Sequence, residues 1–79
     1  MGMADGRDEW ADRSRRFLKA ELKRAEVTYE ELANGLRDMG IPETKGSVTV
    51  KVNRGAYPAW FFFAAMKAIG RSTVSLNEL

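Results

Sequence analysis

The sequence predicts an all-α domain of four helices followed by a short extended C-terminal tail. Three observations carry this. Apolar residues recur at helical spacing in separate stretches, start and stop signals for helices stand between them, and 79 residues without cysteine or histidine leave no disulfide or Cys/His metal site to staple a smaller fold. The chain divides into a flexible arm over 1–8, the helical domain over 9–70 and the tail over 71–79.

The first helix is expected from about Asp8 or Glu9. Trp10, Ala11, Phe17, Leu18, Leu22 and Ala25 gather in one arc, and Arg15, Arg16, Lys19 and Lys23 lie opposite. The second helix, about 29–39, has the clearest start, because Thr28 as N-cap and Glu31 three residues later form a capping box flanked by Val27 and Leu32. Gly40 and Pro42 end it. Gly35, in its middle, calls for a close crossing by another segment.

Residues 44–55 carry two signals. Val48, Val50 and Val52 alternate as in a strand, whereas Thr44 and Gly55 frame a short helix and no second strand exists to pair with. The frame favours a third helix over 45–54, with Val48 and Val52 inward and Ser47, Val50, Asn53 and Arg54 outward. Pro58 opens a fourth helix that ends at Gly70 and is apolar nearly all round. Phe62, Phe63, Met66 and Ile69 form the stripe expected in the core; Trp60, Phe61, Ala64 and Ala68 form a second stripe that needs another cover.

Composition narrows the function. Without cysteine or histidine, thiol chemistry, histidine base catalysis and Cys/His metal sites are excluded, and no Gly-rich phosphate loop or nucleophile elbow is present. A binding module is expected, not an enzyme, with no cofactor and no metal. No apolar run reaches the roughly 18 residues of a membrane span and no signal-peptide core follows the start, so no membrane partner and a cytoplasmic location are expected. The net charge of +2 hides blocks of about −3 over 1–12, +5 over 13–24, −3 over 25–38 and +3 over 39–79. Such separation can give a small domain one basic face.

The Leu32-Ala33 pair, the turn at Gly40-Ile41, the capped helix ending in Asn53-Arg54-Gly55 and the Pro58 that opens an apolar helix resemble the Cro/C1-repressor (Xre-like) helix-turn-helix over about residues 14–70. The whole string, with A-E-L-K-R, V-T-Y-E-E-L-A, G-I-P-E-T, N-R-G and A-I-G, is still more similar to a group of small bacterial domains of unassigned function. The resemblance implies a lambda-repressor-like fold whose third helix enters the major groove of double-stranded DNA, as in a small transcriptional regulator. It places Thr44 and Lys45 on phosphates, Ser47, Val50 and Arg54 on base edges, and Thr49, Lys51 and Asn53 at the groove walls.

A second function is carried by the fourth helix. Trp60, Phe61, Ala64 and Ala68 with Val74 and Leu76 of the tail form a surface for a protein partner, and a twofold homodimer is the expected use of it. A protein-interaction module is therefore the alternative to a DNA-binding regulator.

Overall fold

The structure, a computed structural model, describes residues 5–79, and among them four α-helices and one short 3-10 turn form with no strand. Helix α1 spans Gly6–Ala25, α2 Tyr29–Asp38, α3 Lys45–Arg54 and α4 Ala59–Ile69. Asp5 caps α1, accepting from Arg7 N at 2.8 Å and Asp8 N at 3.2 Å, so the helix begins at Gly6. The expected arm therefore stops short of residue 5, and its residues 1–4 lie outside the described residues. No helix is long and apolar enough to cross a membrane, and no group of three acidic, cysteine or histidine side chains could hold a metal among the described residues.

The reciprocal capping box of α2 forms as its spacing predicts. Glu31 N donates to Thr28 Oγ1 at 3.1 Å and Thr28 N donates to Glu31 Oε1 at 2.9 Å. Replacing Thr28 by Ala leaves a helix-end N–H without its acceptor, and a loss of about 1 kcal/mol in chemical denaturation is the expected result. The framing residues likewise decide α3. Thr44 is its N-cap and Gly55 its left-handed C-cap at φ 65°, and the three valines are helical in spite of their alternation.

The principal packed pairs are α2 on α3, α2 on α4, α1 on α3 and α1 on α4. This closes a ring in which α3 and α4 stand at opposite corners. Phe17, Leu18 and Leu22 of α1, Leu32, Ala33 and Leu36 of α2, Val48 and Val52 of α3, and Phe61, Ala65, Met66 and Ile69 of α4 fill its centre. A Cβ on Gly35 would lie 3.2 Å from Ala68 Cβ, which is the close crossing the mid-helix glycine called for.

That crossing also corrects the predicted face of α4. Phe61 is fully buried while Phe63 is 69% exposed, the reverse of the expectation for both. Turning Ala65 and Ala68 toward the bundle lets α4 approach α2 closely, and the rotation carries Phe63 outward. A helix apolar on every side does not encode its own rotation. Trp10, placed in the buried arc of α1, is likewise more than half exposed, because it stands about two turns before Phe17, the first core residue of the helix.

The tail is folded back and not extended. After Gly70, Arg71 Nε lies 2.6 Å from Oε1 of the buried Glu21, an ionic contact without hydrogen-bond alignment, and Arg24 Nη1 holds Oε2 at 2.9 Å. The chain then makes a 3-10 turn over Leu76–Glu78, and Arg13 Nη1 donates to the carbonyl of Leu79 at 3.2 Å. Glu21 stands inside the apolar arc of α1, so the carboxylate needs a cation brought to it, and Arg71 is that cation.

Candidate nucleic-acid interface

Helix α3 carries no acidic residue, and its positive groups are Lys45, Lys51 and Arg54. Val48 and Val52, one turn apart and fully buried, fix which side faces inward. Val50, Asn53 and Arg54 are exposed on the other side, and Lys45, three and seven residues before the two valines and so on their side of the helix, is exposed at its first turn; Thr49 donates from Oγ1 to the Lys45 carbonyl at 2.7 Å. Lys45 and Arg54 stand nine residues apart, about 14 Å along the helix axis. Neither is in an ion pair among the described residues.

Two predicted site residues are engaged elsewhere. Ser47 closes the cap of its own helix, accepting from Thr44 N at 2.8 Å while its backbone N–H donates to Thr44 Oγ1 at 3.1 Å. Its hydroxyl also donates to Glu43 Oε1 at 2.6 Å. Lys51 reaches back to pair with Glu43 Oε2, and its ammonium sits 5.3 Å above the Phe61 ring. The structure places both side chains, Ser47 expected at a base edge and Lys51 at a groove wall, on a buried carboxylate.

Glu43 is the residue that the sequence reading missed. It is buried in the turn between α2 and α3, and Arg37 Nη1 donates to its carbonyl at 2.7 Å. Burial pushes its carboxyl up, but the Lys51 ammonium and the Ser47 hydroxyl outweigh it and hold the group below the usual glutamate range. A signal for it exists in the sequence, since Glu43, Ser47 and Lys51 recur every four residues as on one helical face. The arrangement locks the start of α3 to the turn and leaves Lys45, Thr49, Val50, Asn53 and Arg54 as the outward chemistry.

On the second predicted surface, Phe61 is removed by burial and Ala68 by its contact with Gly35. Trp60 is half exposed, and Val74 and Leu76 are exposed. Val74 and Leu76 do not lie along the Trp60, Ala64 and Ala68 side. Both border a groove with Trp10 and Phe62.

No curated protein and no solved structure matches the chain. A family model described as a domain of unknown function (DUF6471) matches residues 10–74, and the chain belongs to that family.

Proposed function

We propose, from the site because the family carries no assigned function, that this domain binds double-stranded DNA with α3 as the helix that enters the major groove. One observation carries the reading: an acid-free helix, pinned by two buried valines next to a packed α2, presents Val50, Asn53 and Arg54 outward with Lys45 exposed at its first turn. The major groove, about 12 Å wide, admits an α-helix, and Lys45 and Arg54 put a cation at each end of this one, about 14 Å apart along its axis. Lys45 and Thr44 are assigned to phosphates, while Val50, Asn53 and Arg54 are assigned to base edges. Valine can meet a thymine methyl, asparagine can pair with adenine N6 and N7, and arginine can pair with guanine O6 and N7. The role is that of a small helix-turn-helix regulator in the lambda-repressor-like manner.

Exposed carboxylates at the start of α2, Glu30 and Glu31, repel phosphate and set the expected affinity low. Titration of the purified chain with random duplex DNA at two salt concentrations tests the reading. Binding should weaken steeply with salt, Lys45→Ala should lower the log–log salt slope by about one, and Arg54→Ala should weaken binding by roughly tenfold or more. No binding at low salt, or binding indifferent to salt and to both substitutions, would overturn it.

A further inference from the structure

Two grooves on the surface share Phe62 and Val74. One runs between Trp10 of α1 and Leu76 of the tail, and the other continues past Phe63 to Lys67 and Arg71. Together they form one apolar strip across α1, α4 and the tail. Along it Trp10 is 56% exposed, Phe63 69%, Val74 39% and Leu76 76%. An aromatic side chain offers about 150 to 250 Å² of surface, so Trp10 and Phe63 leave on the order of 250 Å² in water. The two aliphatic residues and the exposed edge of Phe62 raise the strip to about 500 Å², in the upper range of what a monomer exposes in one patch.

We infer that this strip is the contact surface for a second copy of the chain, paired about a twofold axis. Two such strips face to face remove about 1,000 Å² from water, the lower limit for a specific interface of complementary shape and the size of a weak, reversible one. Charge favours the twofold arrangement in which each strip is reversed on its partner. The Phe63 end of one copy, with Lys67 and Arg71, then meets the Trp10 end of the other, where Arg13 lies 5.0 Å over the indole and is paired with Glu9, instead of facing its own two cations. The surface differs from the one expected on α4 alone, because Phe61 and Ala68 are turned inward and Trp10 outward. The residues that line the two grooves lie on α1, α4, the tail and Tyr57 of the α3–α4 turn, none of them on α3. The inference stands independently of the DNA reading.

Sedimentation of the whole chain from about 1 to 200 μM measures it. The wild type should move from monomer to twice the monomer mass within that range, the affinity that an interface at the lower size limit supports. Phe63→Lys and Leu76→Lys should each weaken association by about tenfold or more. Met39→Lys, at an exposed methionine after α2 outside the strip, should leave it unchanged, and helical circular dichroism checks that all three variants fold. A wild type that stays monomeric throughout overturns the inference. So does a dimer that survives both strip substitutions, or one that Met39→Lys disrupts.

Discussion

Gly55→Ala should unfold the domain or bring it close to unfolding. Gly55 ends α3 at φ 65°, a conformation that costs an ordinary L-residue about 1 to 2 kcal/mol. Strain of that size alone would be survivable. A Cβ at this position, however, would sit far inside van der Waals contact with the Ala11 carbonyl oxygen, 2.9 Å from its carbon and 3.0 Å from Arg15 Cβ. These are mainly backbone atoms of a 20-residue helix, so relief requires α1 to move away from α3 as a unit. Phe17, Leu18 and Val52 then lose close packing together. The stability of a chain this size is about 4 to 12 kcal/mol, and strain with core opening takes a large part of it. Gly40→Ala and Gly70→Ala are the controls, because both residues have positive φ and no atom within 4 Å of an added Cβ. Each should lose about 1 kcal/mol, or roughly 4 to 8 °C in thermal melting. A Gly55→Ala variant that melts with these controls would show that the α1 to α3 contact can relax cheaply.

The same contact shows where the sequence was legible. Thr44 and Gly55 specify α3 through backbone geometry that only cap residues and glycine satisfy readily, and this outweighs the strand preference of three valines that have no sheet to join. Thr28, Glu31 and Gly35 are equally explicit, each encoding a local bond or a near crossing. The rotation of α4 is a different kind of property. Its residues are apolar in every direction, so only the fit of Ala68 to Gly35 decides that Phe61 goes in and Phe63 goes out. The outward placement of Val50, Asn53 and Arg54 follows from the spacing of Val48 and Val52. The inward turn of Ser47 and Lys51 does not, because it depends on a glutamate in the preceding turn whose burial is set by the path of the chain from Gly40 to Thr44. Likewise the tail follows Glu21, a carboxylate shared between Arg24 in its own helix and Arg71, 50 residues away in sequence.

Lys51→Ala should destabilise the domain more than it affects any contact to DNA, and its pH dependence should run opposite to that of the wild type. The substitution leaves Glu43 buried with Ser47 as its remaining side-chain donor. Removing one partner of a fully buried ion pair costs about 3 to 5 kcal/mol; Lys51 is one-third exposed and water can reach the vacated site, so about 2 to 3 kcal/mol is expected. In the wild type the Glu43 carboxyl lies below its ordinary range, so its contribution is fully present above the unfolded pKa and is lost as pH falls through the lower folded one. Without the ammonium, burial outweighs the Ser47 hydroxyl and the folded pKa rises above the unfolded value. The variant should therefore gain stability relative to wild type as pH falls from 7 toward 4, the range in which a raised glutamate takes its proton. Glu43→Gln combined with Lys51→Met keeps an acceptor for Ser47 and an apolar stem over Phe61, and should lie within about 1 kcal/mol of wild type. Urea denaturation at several pH values measures all three proteins. Equal pH slopes in wild type and Lys51→Ala would show that Lys51 does not set the ionisation of Glu43. Under conditions where the variant remains folded, its duplex affinity should stay near that of wild type, because the ammonium faces the turn and not the outer surface of α3.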